Sequence, residues 1–156
     1  MFTWQTRTFP DQTTAVRRAV VLTDQLTEWI PGACAEIGGY LHRRGITPCG
    51  YPFARCHPLF GGLVDVEAGF PVAAPITAHG LIEPSALPGG PVLVVRYAGP
   101  YEKIGVVQQT IDDWLHDEGA DRAGEGWEVF RELPACDQLG RRIEVVQPIT
   151  FAHVLV

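Results

Sequence analysis

The chain has 156 residues, 46% of them hydrophobic and 19% charged, with a formal net charge of −6. That length suits one domain with a sizeable core, and the composition excludes a disordered chain. The acidic balance, with basic runs no longer than Arg17-Arg18, Arg43-Arg44 and Arg141-Arg142, argues against direct nucleic-acid binding, which needs clustered cations.

The first predicted element is a helix. Ile30, Ala33, Ile37 and Leu41 recur at helical spacing and place one apolar stripe on a core. Pro31 is expected in its first turn, Arg43 and Arg44 in its last, and Gly45 at a left-handed stop. Strands are predicted at Phe53 to His57 and Asp65 to Phe70. The Pro- and Gly-rich stretch from Ala73 to Pro91 reads as a connection, with a short strand near Ile76. Val92 to Tyr97 is β-branched and aromatic, a strand signature. Gly99-Pro100-Tyr101 ends it and opens a second helix carrying Ile104, Val107, Ile111, Trp114 and Leu115, which stops at Gly119. Further strands are predicted at Trp127 to Arg131, Arg142 to Gln147 and Phe151 to Val156.

A repeat underlies this order. Tyr40-Leu41-His42-Arg43-Arg44-Gly45 aligns with Trp114-Leu115-His116-Asp117-Glu118-Gly119. Without a gap, Gly50 then falls on Gly124 and Phe53-Ala54-Arg55-Cys56 on Trp127-Glu128-Val129-Phe130. After a short insertion in the second copy, Val66-Glu67 meets Ile143-Glu144 and Pro71-Val72 meets Pro148-Ile149. The chain is therefore read as an α+β domain over 1–156, built from two β-α-β-β units at about 14–73 and 92–156 with the connection at about 74–91.

Arg96-Tyr97-Ala98-Gly99-Pro100-Tyr101, Trp127-Glu128-Val129-Phe130, the run from Arg142-Ile143-Glu144 to Pro148-Ile149, and Asp65-Val66-Glu67-Ala68-Gly69-Phe70-Pro71-Val72 resemble the GyrI-like effector-binding domain. The resemblance covers residues 14 to 149 and implies a pseudo-two-fold pair of SHS2-type units. Their antiparallel sheet would wrap a ligand cleft, with helices on the other face. The family supplies the ligand-sensing part of MerR- and AraC-type activators, a gyrase inhibitor, and hydrolases of cyclopropane-bearing DNA-alkylating natural products. No helix-turn-helix precedes the first unit, so a stand-alone member is expected. The family glutamate falls on Glu128, whereas the segment from Pro134 to Gly140 departs from the family's Asn-Asp-Pro-like loop.

Glu128 also stands out on chemistry alone. In a strand it shares a face with Phe130, while Trp127 and Val129 face the other way. If Phe130 is inward, the carboxylate must find an arginine, be protonated or await a cation. The matching position, Ala54, shows that the scaffold itself requires no acid there; the alternative is a structural salt bridge or an exposed face. Glu67 and Glu144 are equivalent in the two copies, and either frame a cleft or make a structural bond. Tyr97, Tyr101, Trp127, Phe53, Tyr40 and Phe70 are candidates for an aromatic wall, or for core. The expected ligand-binding set is Glu128, Trp127, Phe130, Tyr97, Tyr101, Phe53, Glu67 and Glu144.

Catalysis has less support. Ser85 is the sole serine, and no nucleophile elbow, zinc motif or phosphate loop occurs. The histidines show no visible partners, and His42 and His116 are expected in solvent near helix ends. The cysteines have no metal-ligand spacing and read as reduced, buried thiols. No cofactor or metal is expected, and Glu128 alone would act if the protein were an enzyme. With no stretch of roughly 20 apolar residues and no signal-peptide start, a soluble cytoplasmic receptor for lipophilic, cationic or aromatic small molecules is expected. The alternatives are a hydrolase of strained rings and an inhibitor of a macromolecule such as gyrase; oligomeric state stays open.

Overall fold

The computed structural model describes residues 2–100, 103–131 and 142–151. Within them the elements run β1 (Phe2–Phe9), β2 (Gln12–Leu22), α1 (Leu26–Arg43), β3 (Phe53–Pro58), β4 (Leu63–Pro71), β5 (Glu83–Leu87), β6 (Gly90–Ala98), α2 (Gly105–Glu118), β7 (Ala120–Arg122), β8 (Trp127–Phe130) and β9 (Arg142–Phe151). The strands form one antiparallel sheet in the order β1-β6-β9-β8-β3-β4-β2-β5, with β7 added to β9.

That order is palindromic in the two copies. The run β2-α1-β3-β4 occupies one half and β6-α2-β8-β9 the other, meeting at β3 and β8. Across this seam Ala54 pairs with Glu128 and Phe53 with Val129. The outermost strands are exchanged: β1 flanks the second copy through β6, and β5 flanks the first through β2.

The exchange bends the sheet. β1 and β2 lie six strand intervals apart in the sheet order, which in a flat sheet would be about 29 Å at the usual strand spacing. Only Pro10 and Asp11 join them, and such a link reaches about 11 Å. The ends of the sheet must therefore curl together. Where they meet, the Gly89 N–H donates to Asp11 at 2.7 Å. A Cβ on Gly89 would stand 2.6 Å from the Asp11 nitrogen and 2.7 Å from the Phe9 oxygen, so glycine is required. Gly69 is a second such point, since its Cβ would lie 1.9 Å from the Ala15 carbonyl oxygen.

Both helices cover one face of the sheet. Ile30, Ala33 and Cys34 of α1 and Val107, Ile111 and Leu115 of α2 share a core with alternate sheet residues such as Val66, Ala68, Leu93, Val95, Ile143 and Val145. The intervening residues point to the helix-free side, where Val16, Phe53, Leu87, Val92, Val94, Trp127 and Val146 form a separate cluster inside the curl.

Two boundaries differ from expectation. α1 starts at Leu26, so Pro31 lies within the helix rather than in its first turn. The earlier start follows from Gln25, whose side chain accepts the Leu22 N–H at 2.9 Å and organises the preceding turn. No strand forms at Ile76. That side chain is buried against Ile37, Tyr40 and Leu41, while the connection contributes β5 further on. Pro84 is tolerated there because β5 is an edge strand pairing with β2 alone. Gly45 and Gly119 both adopt positive φ at the helix stops, 68° and 66°. Beyond Phe151 the expected terminal strand lies outside the described residues.

Candidate functional site

The seam between the two copies carries a cavity of about 490 Å³ on the helix-covered face, between the start of α1 at Leu26 and Gln108 of α2. Strand alternation builds its floor. Phe130 is buried in the core on this face, so Glu128, two residues earlier, points the same way and lines the cavity, half-buried. Its cross-seam partner is Ala54, and the small side chain leaves the space that a larger residue would fill. Leu26, Cys56, Val64 and Val145 add apolar wall.

The charge of the cavity is set by Glu125, Glu128 and Arg122, all of which line it. Arg122 is already committed: its guanidinium lies 2.6 Å from Asp112, 2.6 Å from the Gln147 side-chain oxygen and 3.2 Å from that of Gln108. Gln147 is buried and donates its amide to the Gly124 and Pro148 carbonyls at 2.9 and 2.8 Å. Asp112 offsets the arginine, and Glu125 and Glu128 add two carboxylates to the lining. Cys56 registers that field: burial first, then Glu128 and Glu125, push its thiol up to about 12. Glu125 also contacts His57 Nδ1 at 2.5 Å, a partner the sequence did not reveal.

The other expected site residues are distributed over both faces. Tyr97 is in the core, stacked on Phe2 at 5.7 Å between ring centroids, and its hydroxyl donates to the Pro100 carbonyl at 2.8 Å. Phe130 is core as well. Phe53 and Trp127 belong to the cluster inside the curl, and Trp127 alone of the described candidate aromatics also borders the Glu128 cavity. Tyr40 donates to the Thr77 carbonyl and stacks on His79, giving that histidine a partner. Glu67 is held by Arg55 at 2.7 Å, Arg18 at 2.9 Å and Ser85 at 3.0 Å. Glu144 faces Arg96 at 3.0 Å and Arg131 at 3.6 Å. Tyr101 and the Pro134–Gly140 segment lie outside the described residues. Arg122, Gln147, Glu125 and Cys56 were not singled out for the site from sequence. The only local signal was Gly124 and Gly126, the latter fixed by a Cβ position 2.7 Å from the Val146 oxygen.

Among the described residues no cluster of three His, Cys, Asp or Glu side chains could hold a metal, and no helix is long and apolar enough to cross a membrane. No family model and no curated protein matches the chain in sequence. Solved structures do match. The C-terminal domain of EcmrR superposes with a TM-score of 0.81 at 19% identity, covering 97% of this chain and 99% of that domain. SAV2435 bound to tetraphenylphosphonium gives 0.62 at 11% identity, over 95% of this chain and 94% of that one. The chain has the GyrI-like fold. The same GyrI-like fold accounts for its match to a hydrolase from Listeria innocua, with a TM-score of 0.67 at 8% identity over 94% and 91% of the two chains. In the EcmrR–DNA complex the chain spans 58% of the EcmrR polypeptide, at 19% identity and a TM-score of 0.80.

Proposed function

We propose that this chain acts as one effector-binding unit whose seam cavity receives a lipophilic organic cation, with Glu128 as its counter-charge. The observation that carries the reading is the convergence of Glu128 and Glu125 on an otherwise largely apolar cavity, a field strong enough to contribute to the displaced Cys56 thiol. About 490 Å³ falls in the range that holds drug-sized molecules. A delocalised cation suits such a site because it sheds water readily and gains from a carboxylate in low dielectric. The GyrI-like neighbours support the reading: one is solved with tetraphenylphosphonium bound. Calorimetric titration of tetraphenylphosphonium and of neutral triphenylphosphine oxide tests it. Glu128→Gln should weaken the cation at least about tenfold, or 1.4 kcal/mol, and leave the neutral compound unchanged. Absence of cation binding at millimolar concentration, or equal affinities in the two proteins, overturns the assignment.

A hydrolytic reading draws on the neighbour described as a hydrolase and on Glu128 as a base for water beside a strained ring. Cys56 is not its nucleophile, because a thiol pushed to about 12 carries almost no thiolate at neutral pH. A water adduct formed from a cyclopropane-bearing alkylator over many turnovers, and lost in Glu128→Gln, would establish it.

A further inference from the structure

The helix-free face carries a second cavity, lined by charged side chains. Its basis is a contrast between the two copies. In the first, Glu67 lies between Arg18 and Arg55, its side chain is 7% exposed, and Glu83 stands 3.8 Å from Arg18, so two arginines are matched by two carboxylates. In the equivalent row of the second copy the arginines share one carboxylate among the described residues. Arg96, Arg131 and Arg142 line a cavity of about 350 Å³ with Glu144 as the one carboxylate among its described lining residues. Register places them on one side of the sheet, for Arg96 is the Cα partner of both Thr3 and Glu144. Arg96 and Arg131 are both directed at a single oxygen of Glu144, Arg131 at a loose 3.6 Å. Each guanidinium has five N–H donors, so both retain capacity for another oxyanion.

This basic cavity adjoins an apolar one. Glu144 also borders a cavity of about 470 Å³ lined by Phe9, Tyr51, Phe53, Leu87 and Trp127. Arg131 lies over the Tyr51 ring at 5.1 Å, which ties the charged end to the aromatic end. We infer that the helix-free face binds a small aromatic carboxylate, its ring in the aromatic cavity and its carboxylate on Arg96 and Arg131. Two guanidinium groups outweigh the single Glu144 charge, and a planar carboxylate matches their fork geometry. The site is distinct from the Glu128 cavity, which lies on the opposite face and selects the opposite charge.

The test is titration of 2-naphthoate, with 2-naphthalenemethanol as its neutral counterpart, by calorimetry at low and raised salt. The wild type should bind naphthoate more tightly than the alcohol, with the preference shrinking as salt rises. Arg131→Gln, at an exposed position, should weaken naphthoate about fivefold or more without changing the melting curve. Glu144→Gln should strengthen it severalfold, a gain that a damaged fold cannot mimic. No naphthoate binding, no preference over the alcohol, or an affinity indifferent to both substitutions would overturn the proposal.

Discussion

Ala54 and Glu128 face each other across the β3–β8 seam, and they are also the positions that the internal repeat superposes. Equivalent residues can be cross-strand partners only where the pseudo-two-fold axis passes between them. At the one place where the two copies meet as equals, one supplies a methyl group and the other a carboxylate. Part of the cavity's space and one of its charges arise from this asymmetry.

Enlarging Ala54 should therefore act on the ligand directly. Ala54→Leu projects into the cavity beside Glu128, and tetraphenylphosphonium affinity is expected to fall about tenfold or more. The fold should lose less than the roughly 1–3 kcal/mol typical of overpacking, because the added atoms enter existing space. Calorimetry and urea unfolding on the same protein check both parts.

The cysteines should separate sharply in reactivity. Cys49 is exposed, whereas burial lifts Cys34, and burial with Glu128 and Glu125 lifts Cys56, each to about 12 against an ordinary 9.0. At pH 8 the Cys56 thiolate is then about a thousandfold scarcer than for an ordinary thiol, and its alkylation should be slowed accordingly. Mass spectrometry of iodoacetamide-treated protein should find Cys49 labelled before Cys34 and Cys56, and Cys56 faster in Glu128→Gln.

The same shifts fix a pH dependence. Between about 9 and 12 the folded thiols keep protons that the unfolded chain has released, so stability falls as pH rises through that window. Melting temperatures measured from pH 8 to 11 should decline, and more gently in Cys34→Ala than in the wild type.

Glycine substitutions should divide by position. Gly69→Ala drives a Cβ to 1.9 Å from the Ala15 oxygen and is expected to cost on the order of 3–5 kcal/mol. Gly32, inside α1, has nothing within 4 Å of its added Cβ, and Gly32→Ala should stabilise by about 0.5–1 kcal/mol. Chemical denaturation of the two variants measures both.

Glu67→Gln should destabilise more than Glu144→Gln. The first removes a carboxylate that is 7% exposed and that Arg18 and Arg55 hold at 2.9 and 2.7 Å, leaving two like charges across it. The second removes a carboxylate that is 18% exposed and that one of its two arginines holds only at 3.6 Å. Urea midpoints compared at one pH give the order.

What the sequence disclosed depended on how each feature is encoded. Both helices were legible because apolar spacing and the stops at Gly45 and Gly119 are local signals. Glu128 was legible because alternation ties it to Phe130, and the repeat marked Ala54 as its counterpart. β1 and β5 were not, since as edge strands they carry mostly exposed residues and, in β5, a proline. The aromatic candidates divided between two faces because composition gives no strand register. The partners of Glu67 and Glu144 come from strands far away in sequence, and Arg122 and Glu125 sit at a short strand and a loop that have no period to read.

The exchanged edge strands also impose an order on synthesis. β1 leaves the ribosome early, yet its whole hydrogen-bonding partner is β6, more than 80 residues downstream. At about 5–20 residues per second the nascent β1 waits for seconds with no strand to join. During that interval the charge of Arg7 within β1, and Pro10 directly after it, are what oppose pairing with neighbouring nascent chains. The charge and the proline at the end of β1 are thus what a strand needs when it must wait unpaired for its partner to be translated.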